Sequence, residues 1–155
     1  MELWSTEHVV ALALSVVSCV LAVRLTRARP RAWGATASRV LAALIALAFA
    51  ADHSAAAILG EWSLDHYLPL HLSDVATILA VLALWQPRPL LVELTYFWGL
   101  TASVQATLTP DLGHTFPDVL FFTFFVTHAG VVLAALLLVA GRGLVPRPGA
   151  VARVF

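Results

Sequence analysis

The sequence predicts an all-α polytopic transmembrane bundle of about five spans, and three observations carry that expectation. Sixty-one per cent of the 155 residues are hydrophobic and only 12% are charged, whereas a soluble domain is nearer half apolar with about a quarter charged. Apolar runs close to the ~20 residues that cross about 30 Å of hydrocarbon recur along the chain. Basic residues fall only on alternate connections between those runs. Mean hydropathy is +0.90.

The runs lie at 8–23, 39–59, 68–85, 89–108 and 117–140. The third and fourth are short, and the turn Gln86-Pro87-Arg88-Pro89 between them leaves almost no loop, so they should form a tight antiparallel pair. All nine basic residues are arginines. Arg24, Arg27, Arg29, Arg31 and Arg39 fall in the first connection, Arg88 in the third, and Arg142, Arg147 and Arg153 after the fifth run. The amino terminus and the second and fourth connections instead hold Glu2, Glu7, Glu61, Asp65, Asp111 and Asp118. The positive-inside rule then predicts an external amino terminus and a cytoplasmic carboxyl terminus.

The first run is not expected to be a cleavable signal peptide, because its flank carries Glu2 and Glu7 where a signal peptide is basic. The arginine cluster after it reads as a topology signal and a contact for anionic lipid, not as a nucleic-acid site. One membrane domain is expected over 1–145, followed by an interfacial tail over 146–155. The single cysteine, Cys19, lies within the first run and excludes an intrachain disulfide or a cysteine-based metal site.

Seven strongly polar side chains fall within the runs: Asp52, His53, His71, Asp74, Glu93, Gln105 and His128. A carboxylate at mid-bilayer costs about 2.5–3.5 kcal/mol on insertion scales, so such groups normally face the bundle interior or water. The orientation puts six of the seven towards the external side, where they can share a pocket; Glu93 alone lies near the cytoplasm. His128 is about 16 Å down the fifth run at 1.5 Å per residue. In Leu68-Pro69-Leu70-His71-Leu72-Ser73-Asp74, the polar groups His71, Ser73 and Asp74 join Thr77 on an arc of about 160° on one side of the helix.

Each of these residues also has a structural reading. Asp74 and His71 can pair with each other or cap the helix, and Asp52 with His53 can form a local pair. Glu93 can snorkel or pair with Arg88, Gln105 can bond a neighbouring helix, and His128 can be satisfied by a carbonyl. The tryptophans mostly lie near span ends, as aromatic belts do. The run Phe121-Phe122-Thr123-Phe124-Phe125 suits a lipid-facing or acyl-chain-lining surface. There is no Gly-rich phosphate loop and no GxSxG elbow; no cofactor is implied, and no His spacing supports a metal.

Leu68-Pro69-Leu70-His71-Leu72-Ser73-Asp74, Glu93-Leu94-Thr95-Tyr96-Phe97-Trp98-Gly99-Leu100, Gln105-Ala106-Thr107-Leu108-Thr109-Pro110-Asp111, Phe116-Pro117 and Phe124-Phe125-Val126-Thr127-His128 together resemble the YwaF-like family of bacterial integral membrane proteins over roughly residues 7–145. That family is similar to eukaryotic membrane acyltransferases that remodel ether phospholipids with a Cys–His pair. The resemblance puts the histidine on His128 and the cysteine position on Ser73. A serine nucleophile there needs His128 as its general base. Members of the family usually continue into further spans with an Asn-Tyr and Lys-Pro region, so this chain is short at the carboxyl end.

Three functions follow from these groups. The first is an intramembrane acyl transferase or lipid hydrolase with Ser73 and His128 as catalytic pair. Asp52, His53, His71, Asp74 and Gln105 would then bind substrate or relay protons. The second is a proton or small-solute transport component, which requires Glu93 to extend the polar route towards the cytoplasm. The third is a non-catalytic accessory subunit, in which every polar group is paired and no cavity remains. Membrane lipids are the expected partners, with a homo-oligomer or partner membrane subunit as a further expectation and no nucleic acid. The expected location is the cell (plasma) membrane, multi-pass.

Overall fold

A computed structural model describes residues 2–155, the side chains of residues 30–32 and 66 excepted. The chain is helical, with no strand among the described residues. The α-helices are α1 (Thr6–Ala28), α2 (Pro30–Leu59), α3 (Leu64–Tyr67), α4 (Leu72–Trp85), α5 (Pro89–Trp98), α6 (Val104–Leu108), α7 (Val119–Leu136) and α8 (Ala150–Val154). A π-helical turn, Gly99–Ser103, joins α5 to α6, and a second, Leu137–Gly141, extends α7.

Among the described residues, three helices are long and apolar enough to cross a membrane: Thr6–Ala28, Trp33–Leu59 and Val119–Gly141. Leu72–Trp85 is apolar but shorter. The run expected at 89–108 is helical throughout but composite, because the wider π turn interrupts the α-helical hydrogen-bond ladder.

Proline sets the corners. Pro30 and Pro89 each occupy the first turn of a helix, where the missing N–H has no partner to lose. The residue before each is held out of the helical region, Arg29 at φ −139° and Arg88 at ψ 142°. The first arginine-rich connection is therefore not a loop. α1 runs to Ala28 and α2 starts at Pro30, with Arg29 alone between them; Arg31 belongs to this junction, its side chain outside those described. Gln86–Arg88 make the three-residue turn that folds α5 back on α4, the expected antiparallel pair. α2 stops where Gly60 takes the left-handed conformation at φ 74° and its N–H bonds the carbonyls of Ala56 and Ala57.

α7 is the centre of the bundle. Half of its membrane-length window is buried, against 28% for α2 and 6% for α1, which lies at the edge. Close approach depends on small residues, as helix packing in lipid requires. A Cβ on Gly130 would sit 2.8 Å from Ile45 Cγ1, and one on Gly99 2.9 Å from Val131 Cγ1. Ala76, Ala80 and Ala83 give α4 an equally thin buried face.

The carboxyl-terminal segment turns back onto α5. Glu93 is the reason. Its carboxylate, 1% exposed, accepts from Arg147 Nε at 2.8 Å and Arg153 Nη2 at 2.7 Å, and from the Arg147 backbone N–H at 3.1 Å. Trp98 Nε1 donates to the Val154 carbonyl at 3.0 Å beside this clasp. The expected partner Arg88 is thus replaced by two arginines from the tail, because α8 lies against α5 while Arg88 caps that helix's start.

Candidate functional site

Three helix ends meet at the site: the carboxyl end of α2 and the amino ends of α4 and α7. α2 packs extensively against both partners, and the Gly130 contact lets α2 and α7 approach closely enough for side chains to bond across them. Thr123 Oγ1 donates to Asp52 Oδ1 at 2.6 Å. Asp118 caps the start of α7 by accepting from the Leu120 N–H at 2.8 Å. Leu68, which precedes Pro69, is extended at ψ 120° and ends α3, allowing α4 to begin at Leu72.

Four of the sequence-derived site residues gather here. Asp74, half-buried near the start of α4, lies within electrostatic reach of His71, His53 and Asp52. His53 Nδ1 donates to the Phe49 carbonyl at 3.0 Å, and its ring packs on Phe49 at 4.4 Å. The other ring nitrogen, Nε2, is buried without a protein partner. His71 is exposed and donates from Nε2 to the Asp65 carbonyl at 3.0 Å, so its ring ties the α3 segment to α4, while its backbone N–H bonds the Asp74 carboxylate and its ring lies within electrostatic reach of it.

The side chains of the other candidates make no hydrogen bond to that cluster among the described residues. Ser73 is half-buried, and its carbonyl accepts from Thr77 Oγ1 at 2.8 Å. His128 packs on Phe124 at 4.4 Å, and its Nδ1 is buried with no protein partner. No hydrogen bond joins Ser73 to His128 among the described residues. Gln105 is exposed and donates to Thr109 Oγ1 at 2.6 Å, locking the end of α6 and not reaching the cluster.

Two participants escaped the sequence reading. Thr123 was hidden within a phenylalanine run, and only its Cα position opposite α2 gives it a role. Tyr67 meets the His53 ring edge-on at 5.8 Å; burial, with Asp52 and Glu61 nearby, raises its pKa above the usual phenol value. Further polar atoms without protein partners are buried on α5, the π turn and α7: Thr95 Oγ1, Ser103 Oγ and Thr127 Oγ1. The π turn brings Gly99 against Val131. One helical turn from that contact, in the same direction along the antiparallel pair, come Ser103 on one side and Thr127 and His128 on the other.

A crevice of about 670 Å³ lies between α1, α2 and α7, walled by Leu14, Leu44, Phe116, Phe122 and Phe125 among others. None of the candidate site residues lines it. Among the described residues, no group of three or more His, Cys, Asp or Glu side chains is arranged to hold a metal.

No curated protein and no solved structure gives a match. The all-helical architecture and its apolar spans agree with the family to which the match assigns it: over residues 3–155 the chain belongs to the TMEM164 family, a family of membrane proteins.

Proposed function

We propose that this chain is an intramembrane acyl transferase or lipid hydrolase, a YwaF-like member of its family. In this reading it crosses the plasma membrane five times, with the amino terminus outside and the carboxyl terminus in the cytoplasm, and its substrates are membrane lipids. The observation that carries the reading is His128: an imidazole with a buried, unpartnered nitrogen on the central helix. Buried polar atoms are nearly always paired, and exceptions call for a chemical reason. A general base needs such a free nitrogen.

The chemistry would run in two steps. Ser73 Oγ attacks the acyl carbonyl carbon while His128 takes the serine proton. The ester C–O bond then breaks, and His128 returns the proton to the departing lysolipid oxygen. The acyl group next passes to an acceptor hydroxyl or to water by the same steps in reverse. Asp52, Asp74, His53 and His71 would orient the polar part of the lipid. Because Ser73 and His128 share no bond in the free chain, the reading requires substrate or one water to connect them, as is common before substrate binds.

Two observations disfavour the other functions. A transport route needs Glu93 to continue the polar path, but Arg147 and Arg153 already saturate that carboxylate. A purely structural role predicts paired polar groups and no cavity, against the unpartnered atoms and the crevice. Lipidomics of cells carrying the intact chain, Ser73→Ala or His128→Ala tests the proposal. Matching losses of one lipid class in both variants support it, and identical lipid profiles in all three would remove it.

A further inference from the structure

His114 lies in the connection between α6 and α7, with a side chain 24% exposed. Both of its ring nitrogens face carboxylates. Nδ1 is 3.0 Å from Asp118 Oδ2, and Nε2 is 3.0 Å from Glu61 Oε2, which lies in the connection between α2 and α3. A neutral imidazole has one N–H and one lone pair, so it can donate to only one of the two. The other contact would set a lone pair against a carboxylate oxygen. The arrangement is therefore that of an imidazolium, bridging two connections that are 53 residues apart in sequence.

What the bridge restrains is also clear. Two residues beyond His114, Phe116 meets Phe122 at 5.6 Å and Phe121 at 6.2 Å between ring centroids, and it forms part of the crevice wall. Glu61 follows Gly60, the residue that terminates α2. We propose that protonated His114 is a pin that holds the 109–118 connection against the α2–α3 connection and keeps Phe116 at the crevice, and that its deprotonation releases that side. The charged groups acting on His114 are Glu61 from one connection and Asp118 from the start of α7. Tyr67, from α3, is a further titratable group within electrostatic reach of Glu61.

The sign follows from the charges. Partial burial pulls the His114 pKa down, but the bonds to Asp118 and Glu61 and their negative charges outweigh it, so the ring titrates above the ordinary histidine value. A raised folded pKa means that the pin is fully in place below about pH 6.5, the ordinary value, and is lost as pH rises through the folded one. This inference concerns the pin alone and does not depend on Ser73 or His128.

The test uses the full chain in lipid nanodiscs, with spin labels at Leu64→Cys and Gly113→Cys and with Cys19→Ser. Leu64 is 65% exposed and a Cβ on Gly113 meets nothing within 4 Å, so both sites accept a label. The expected result is one narrow distance at pH 5 that broadens at pH 9, with the transition moved to lower pH by Glu61→Gln and abolished by His114→Gln. The same distance distribution at both pH values, or a pH response that survives His114→Gln, would overturn it.

Discussion

Replacing Gly130 with alanine tests the contact on which the site's assembly rests. The new Cβ would lie 2.8 Å from Ile45 Cγ1 and 3.3 Å from Cδ1. Carbon atoms pack best at about 3.5–4.0 Å, so the contact is short by about 0.7–1.2 Å. Cγ1 lies next to the branch point of a side chain that is fully buried, and a β-branched side chain in a helix has essentially one rotamer. The helices must therefore separate. Overpacking of this kind costs about 1–3 kcal/mol, offset by the ~1 kcal/mol that alanine gains over glycine within a helix. Gly130→Ala alone should destabilise the bundle by up to about 2 kcal/mol in reversible unfolding in mixed micelles. In an Ile45→Ala background the clash is gone and only the propensity gain remains, so the same change should stabilise by ~1 kcal/mol. The sign reversal is the diagnostic, because contacting residues are non-additive. An equal effect of Gly130→Ala in both backgrounds would refute the reasoning.

The same interface makes a second prediction two helical turns away. Thr123→Val keeps the shape and removes the bond to Asp52; interhelical bonds in lipid average about 0.6 kcal/mol with a maximum near 1.7, and the carboxylate acceptor places this one at the upper end. Unfolding midpoints for Thr123→Val alone and with Asp52→Asn check it, and the second substitution should add little to the first. Glu93→Gln removes the charge that two arginines share, so the tail should detach from α5. Trypsin cleavage after Arg142 and Arg153, read by mass spectrometry, should then accelerate several-fold, while Arg147 stays uncut because Pro148 follows it. Unchanged cleavage would show that Trp98 and the apolar face of α8 hold the tail without the clasp.

Much of this was legible because lipid imposes simple rules. Apolar runs marked the helices, and Gln86-Pro87-Arg88-Pro89 marked the corner between α4 and α5, whereas the corners at Pro30 and Gly60 emerge only from the structure. Polar residues in those runs led to Asp52, His53, His71 and Asp74, which do converge. The failures share one cause: a residue's partner is set by tertiary packing, which periodicity does not encode. Glu93 has Arg88 nearby in sequence, yet the tail supplies Arg147 and Arg153. Gln105 has the right depth but turns to Thr109 on its own helix. Thr123 looked like filler among aromatics until α2 was set opposite it. The first arginine-rich connection is helical on both sides of Arg29, because helix formation is compatible with arginine and only Arg29 at the proline corner breaks it.

The acyl-transfer account is tested most directly by the purified chain in liposomes that contain a phospholipid acyl donor and a lysophospholipid acceptor, with peptide mass spectrometry of Ser73. The account predicts an acyl ester on Ser73 that is absent from Ser73→Ala and strongly reduced in His128→Ala, together with formation of the exchanged lipid. Lipid exchange of equal extent in the intact chain and both variants, or no acylated Ser73 and no product with the intact chain, would contradict it.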